Sequence, residues 1–261
     1  MEKTDTNLYF MTNQEKKESI AIVVLAAGHG KRMQSELPKS LTPLHGKYLI
    51  AHLLERIEIS GVADRTIIVV GQKRKQVMDA LGSKYIYAIQ EEQMGTGHAV
   101  MCAQKHIPDA NHILVLYADM PYITPETIKN LVEKHTRENA TLTMATIVVP
   151  DFLEWRAGFF DFSRVIRNEQ GEIICTVEKK DQTEEEQKIL EVNPAYMIFN
   201  AKWMWYNMKN ISNTNSQSEY YLTDLIRIAC DEREKIASIS IEPKEALGVN
   251  TKEQLELIQS I

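Results

Sequence analysis

The sequence predicts an α/β protein built on a mostly parallel, doubly wound, Rossmann-like sheet, with a smaller β-rich part in its second half. Three observations carry this expectation. Apolar or β-branched runs alternate with helix-period segments between residues 20 and 149. The first run, residues 20–27, is apolar throughout and runs into Gly28 and Gly30, as a strand buried on both faces does. Beyond residue 149 the alternation gives way to hairpin grammar, with two short strands flanking a turn at residues 168–171.

Taken in order, Leu49, Ile50, Leu53, Leu54 and Ile57 recur at helical spacing, and Gly61 follows as a stop. Residues 66–70 read as a strand, 72–81 as a helix closed by Gly82, 85–89 as a short strand and 96–105 as a helix. Residues 113–117 form another buried strand. Pro125 suits the first turn of a helix over 125–138, with Thr124 as its cap. Residues 141–149 form a long strand. In the second half, strands are expected at 165–167, 172–178, 191–199 and 236–241, and helices at 221–230 and 251–260. The last helix carries Thr251 as cap and Gln254 three residues on. Trp203, Trp205 and Tyr206 read as a packing cluster.

The chain has 261 residues, of which 44% are hydrophobic and 25% charged, an ordinary globular balance. Residues 1–19 read as a flexible N-terminal arm and 20–261 as one domain; Met11 is a second candidate start. The net charge of −6 disfavours nucleic acid as a partner. No apolar run is long enough to span a membrane, and no apolar stretch follows a basic start as in a signal peptide. The three cysteines, Cys102, Cys175 and Cys230, form no metal or disulfide pattern. A reducing cytoplasm is therefore the expected location, and the sequence leaves the oligomeric state open.

The chemistry concentrates in the loop after the first strand: Leu25, Ala26, Ala27, Gly28, His29, Gly30, Lys31 and Arg32, then Pro38-Lys39. Small residues there let backbone N–H groups approach an anion, and Lys31, Arg32 and Lys39 bring positive charge. The C-terminal end of a parallel strand is where open α/β sheets bind ligands. A triphosphate cradle is implied. The dinucleotide fingerprint fails because Met33 stands at its third glycine, and no acidic residue follows the second strand. The P-loop pattern is absent.

These residues, with Gln90 to Ala99, Tyr117-Ala118-Asp119, Val177 to Asp181, Glu191-Val192-Asn193, Glu219 to Asp224 and Gly248-Val249-Asn250, resemble the sugar-phosphate nucleotidyltransferases. The set is similar to the uridylyltransferase domain of the bacterial bifunctional N-acetylglucosamine-1-phosphate uridylyltransferases and covers residues 20–261. The resemblance implies a single nucleotidyltransferase domain with a β-rich sugar-binding part. It implies transfer of a nucleotidyl group from UTP to N-acetylglucosamine 1-phosphate or a related hexosamine phosphate, releasing pyrophosphate with Mg²⁺ as cofactor. Arg32 and Lys39 take catalytic roles. Leu25, Ala26, Ala27, Gly28, Gly30, Gln90, Gly95, Thr96 and Asp119 bind the nucleotide. Ser163, Glu178, Asn193 and Asn250 face the sugar, and Asp119 and Asn250 hold the metal. Another sugar phosphate, dTTP or CTP remains open, as does a nucleotide-sensing subunit that does not turn over.

The chain departs from that pattern on the sugar side. It reads Ala118 where the family often has Gly, Phe162-Ser163-Arg164 for Tyr-Gly-Arg, and Asn193-Pro194-Ala195 for Asn-Thr-Gly. Residues 151–161 are longer and more aromatic than usual. No hexapeptide repeats of the kind that build a left-handed β-helix are present, so an acetyltransferase half is not expected.

Overall fold

The computed structural model describes residues 18–28, 30–33, 36–215 and 217–260, without the Lys31 side chain. The expected arm, residues 1–19, lies outside the described residues except for its last two. Those two are tied to the domain: Ser19 N–H donates to Asn111 Oδ1 at 2.9 Å, and Glu18 meets His112 Nε2 at 2.7 Å.

The chain order begins β1 (Ile20–Leu25), β2 (Pro43–Leu44), β3 (Lys47–Tyr48), α1 (Leu49–Ser60), β4 (Arg65–Val70) and α2 (Arg74–Leu81). Next come β5 (Ile86–Ile89), α3 (Thr96–Ala103), β6 (His112–Tyr117), α4 (Pro125–Glu138) and β7 (Leu142–Val148). The second half adds β8 (Ser163–Arg167), β9 (Ile173–Val177), β10 (Glu191–Asn193), β11 (Met197–Asn200) and α5 (Ala201–Asn207). It closes with α6 (Asp224–Asp231), β12 (Ile236–Ser240) and α7 (Lys252–Ser260).

A 10-stranded sheet runs β5-β4-β1-β6-β11-β7-β10-β8-β9, with β12 beside β7, and β2-β3 form a separate small hairpin. The first four strands of that order are parallel, as the βα alternation requires. β11 then inserts antiparallel between β6 and β7, and β8, β9 and β10 form the antiparallel extension. The sheet is buried on both faces. Ile20, Ile22 and Val24 enter one core with α1 and α4, while Ala21 and Val23 enter the other with α3, α5 and α6. Side chains alternate across a strand, so an unbroken apolar run serves both cores at once.

Local grammar held where its cause is local. α4 spans the expected residues, and Thr124 Oγ1 accepts from Thr127 N–H at 3.1 Å. Thr251 Oγ1 accepts from Gln254 N–H at 3.3 Å, and Gln254 Oε1 reaches back to Asn250 N–H at 2.7 Å. Two expectations need correction. The single strand over 191–199 is two, β10 and β11, separated at Pro194-Ala195-Tyr196. Pro194 offers no N–H to a ladder, and Ala195 sits at φ +67°. The helix expected from residue 221 starts at Asp224; residues 222–223 form a turn there, and Leu222 N–H donates to Thr96 Oγ1 at 3.0 Å.

Candidate active site

β1 delivers Leu25 to Gly28 to the C-terminal edge of the sheet, beside the ends of β4 and β6. Ala26 N–H donates to Val69 O at 2.9 Å and Ala118 N–H to Leu25 O at 3.0 Å, so three strand ends are locked together. Gly30 has φ +61°, and a Cβ there would lie 2.9 Å from Lys39 Cβ. Only glycine lets this loop turn back under Lys39.

Two cavities open at this edge and meet. One, of about 260 Å³, is lined by Leu25, Ala26, Ala27, Gly28, Lys39, Gln90, Gly95, Thr96 and Asp119. The other, of about 730 Å³, is lined by Ser163, Glu178, Asn193 and Asn250, together with Trp155, Phe159 and Phe162. Thr96, Tyr117 and Asp119 line both. Apart from Gly30, the residues singled out for the nucleotide thus line one cavity and those for the sugar its neighbour. Gly30 and Arg32 line neither.

At the seam stands a polar cluster from three parts of the chain. Lys39 Nζ contacts Asp119 Oδ2 and donates to Asn250 Oδ1 at 2.6 Å, and Arg32 Nη2 donates to the same Asn250 oxygen at 3.2 Å. Asn250 is fixed by the cap of α7 and by its neighbour Val249, whose N–H donates to Asp119 O at 2.9 Å. The two expected metal ligands therefore present hard oxygens to one point, already shared by an ammonium. That donor set suits a divalent ion such as Mg²⁺, which commonly takes one or two protein oxygens and fills its shell with phosphate and water. Among the described residues no group of three or more His, Cys, Asp or Glu side chains forms a metal cage.

The floor of the smaller cavity is held by the segment 219–222. Tyr220 N–H donates to Met94 O at 2.8 Å, and Gly97 N–H to Tyr220 O at 2.8 Å. A Cβ on Gly95, at φ +97°, would lie 2.5 Å from Tyr220 O. The glycine is therefore required both by its dihedral and by the crossing chain. Gln90, 2% exposed, donates from Nε2 to Gly95 O at 3.0 Å and faces His98 Nδ1 at 3.2 Å.

In the larger cavity Ser163 and Asn193 are paired across β8 and β10. Asn193 Oδ1 accepts from Ala195 N–H at 2.7 Å, closing the turn that holds Ala195 in its left-handed conformation. Asn193 Nδ2 is buried without a protein partner. Burial raises the Glu178 carboxyl above its ordinary 4.5; a Thr223 hydrogen bond opposes this and the Asp224 charge adds to it. Burial likewise drives the Tyr117 phenol far up, with Asp119 and Glu178 adding to the effect. Arg164 is fully buried and turned away from the cavity's chemistry. Its Nη1 donates to Phe162 O at 2.6 Å, and its guanidinium lies 4.5 Å from the Phe152 ring centroid. It staples the aromatic segment Glu154–Asp161.

A family model for the MobA-like NTP transferase domain matches residues 22–172. The chain belongs to that family. By family it is a nucleotidyltransferase enzyme. Among curated relatives, the Bifunctional protein GlmU of Thermoanaerobacter pseudethanolicus is 37% identical over 238 residues, covering 91% of this chain and 50% of the relative. The Bifunctional protein GlmU of Clostridium novyi is 37% identical over 241 residues, covering 92% and 51%. The chain spans about half the length of these relatives. Among solved structures, a UDP-glucose pyrophosphorylase complexed with UDP-glucose aligns at TM-score 0.74 and 18% identity, covering 93% of this chain and 98% of that one. A CMP:2-keto-3-deoxy-manno-octonic acid synthetase complexed with CTP aligns at 0.68 and 17%, covering 93% and 98%. At those identities the structures establish a shared nucleotidyltransferase-type α/β fold. Among the described residues no helix is long and apolar enough to cross a membrane.

Sequence reasoning missed several residues of the transferase that line these cavities. Ser40 and Gln93 line the smaller one, and Ser40 Oγ and Gln93 Oε1 are buried without partners. Tyr117 lines both cavities. Gln93 and Tyr117 lie within the stretches that carry the resemblance but were given no role, and Ser40 had only its place beside Lys39 as a signal.

Proposed function

We propose that the chain transfers a nucleotidyl group from UTP to the phosphate of a sugar 1-phosphate, most closely a hexosamine phosphate, with release of pyrophosphate. The observation that carries this reading is the seam. Two ligand-sized cavities adjoin at Asp119, and the Lys39–Asp119–Asn250 cluster bridges the boundary. Joining two anions requires such a junction, where positive charge offsets their repulsion.

In this reading the triphosphate lies along Leu25 to Gly28, with Lys39 against the reacting phosphates and Arg32 toward the departing pyrophosphate. A sugar phosphate is largely dianionic near neutral pH, its second pKa being about 6, so no base is needed to activate it. Its oxygen attacks the α-phosphorus, the α–β bridging P–O bond breaks, and pyrophosphate takes the electron pair. Asp119 and Asn250 would hold Mg²⁺, which when bound supplies further positive charge to the phosphates. Holding both partners in line provides much of the rate.

Two details support the choice of ligands. Gln90 spends its amide N–H groups on Gly95 O and His98, leaving Oε1 as an acceptor for the ring N–H of uracil. Asn193 Nδ2, buried and without a protein partner, supports a sugar oxygen at that place. The test is pyrophosphate release across a grid of nucleoside triphosphates and sugar 1-phosphates. Release that depends on both UTP and a sugar 1-phosphate is expected. UTP binding with no turnover on any sugar phosphate would leave a sensing role instead.

A further inference from the structure

Gln90 can present either end of its amide to a base, and the two ends ask for opposite partners. Its surroundings remove that choice. Gly95 O is only an acceptor, so the group 3.0 Å from it is the NH₂. The second N–H of that NH₂ faces His98 Nδ1 at 3.2 Å, which must then carry a lone pair. The ring proton accordingly sits on Nε2, which faces Cys102 Sγ at 3.9 Å. Burial pushes the Cys102 thiol above its ordinary range, so it stays a neutral sulfur able to accept that N–H. α3 places His98 and Cys102 one turn apart, stacking the relay on a single helix face.

We propose that His98 is a positioning residue for base selection. By accepting from Gln90 Nε2 it keeps Gln90 Oε1 turned to the nucleotide cavity. The site then takes a base with a ring N–H, uracil or thymine, and rejects cytosine, whose ring nitrogen carries a lone pair. The proposal rests on the reading of the smaller cavity as the nucleotide site, and adds a residue that never touches the base.

The test is equilibrium binding of UTP and CTP to the full chain by calorimetry, independent of sugar or turnover. The wild type should favour UTP. His98→Phe, which keeps the ring volume and loses the acceptor, should narrow the UTP-to-CTP ratio about tenfold, the worth of one hydrogen bond. His98→Asn, whose carbonyl can accept, should restore most of it. Cys102→Ala, which removes only the far end of the relay and leaves the helix intact, should narrow the ratio roughly twofold. A wild type that binds both nucleotides equally, or an unchanged ratio in folded His98→Phe and Cys102→Ala, overturns the proposal. Intact discrimination without turnover on any sugar phosphate would count against the proposed reaction alone.

Discussion

Lys39 and Asp119, 80 residues apart in sequence, are in direct contact through Nζ and Oδ2 where the two cavities meet. The contact joins the loop after β1 to the end of β6, and Asn250 completes it from the loop before α7.

If this cluster offsets charge on the phosphates, as proposed above, its loss should be costly to rate. Asp119→Asn and Lys39→Ala are each expected to lower turnover by about 100-fold, or about 2.7 kcal/mol. With side chains only 13% and 23% exposed, the pair is largely buried, so removing one partner also costs stability, and Asp119→Asn, which keeps the shape, should cost less than Lys39→Ala. Initial rates of pyrophosphate release and thermal melts on the same samples check both halves. Near wild-type rates in Asp119→Asn would remove it from the chemistry.

Asn193 has two separable tasks. Its Oδ1 closes the turn at Ala195, and its Nδ2 points to no protein acceptor. Asn193→Ala should cost about 1–2 kcal/mol of stability through the lost turn bond and also weaken sugar phosphate binding. Asn193→Asp keeps the acceptor for Ala195 N–H but buries a carboxylate at a site 4% exposed, so the melt should recover best at acidic pH while the KM for the sugar phosphate stays raised. UTP affinity should not change in either variant. Recovery of both properties in Asn193→Asp would show that Nδ2 has no role in binding.

The raised Glu178 carboxyl makes a signed prediction. Its folded pKa lies above 4.5, so between the two values the folded state holds more protons than the unfolded state, and stability falls as pH rises. Glu178→Gln removes that penalty. The variant should be more stable than wild type at pH 7 and indistinguishable from it below pH 4.5. If Glu178 holds sugar hydroxyls, the same variant loses activity at pH 7. Denaturant midpoints at pH 4 and 7 decide the first point; a gain that persists at pH 4 contradicts it.

A second pH effect lies away from the site. His135 is fully buried, with Nδ1 2.9 Å from Thr143 Oγ1 and Nε2 3.0 Å from His112 Nδ1. Burial, then the neighbouring His112, pushes its pKa from 6.5 down to about 3. The unfolded chain therefore binds a proton that the folded state refuses. The stability this group contributes is complete above pH 6.5 and is lost as pH falls toward 3. Between pH 7 and 4.5 the loss should reach about 2–3 kcal/mol. His135→Gln, which cannot titrate, should flatten the decline measured by urea unfolding; an unchanged slope would assign the acid sensitivity elsewhere.

Much of the fold was legible because its causes are local. The Thr124 cap and Pro125 set the start of α4, and Ile20 to Val24 announced a strand buried on both faces. The break between β10 and β11 was hidden because residues 191–199 read as one run. Pro194 marked the place, but partners decide a ladder, and β10 pairs with β7 and β8 while β11 pairs with β6 and β7. α6 starts at Asp224 rather than at residue 221, a boundary that the apolar spacing of residues 221–230 does not mark.

By itself the sequence determined which side chains could do the chemistry and that they follow strand ends, since residue type and periodicity are properties of the chain. It also marked Gly95 as special. Only the tertiary structure decided why: the segment at Tyr220 crosses too close for any Cβ. It alone decided that Lys39, Asp119 and Asn250 share one point, that the cavities adjoin there, and that Gln90 Nε2 meets Gly95 O and His98 Nδ1. Those are distances between atoms that the chain keeps far apart, and packing of both cores against the sheet is what brings them within hydrogen-bonding range.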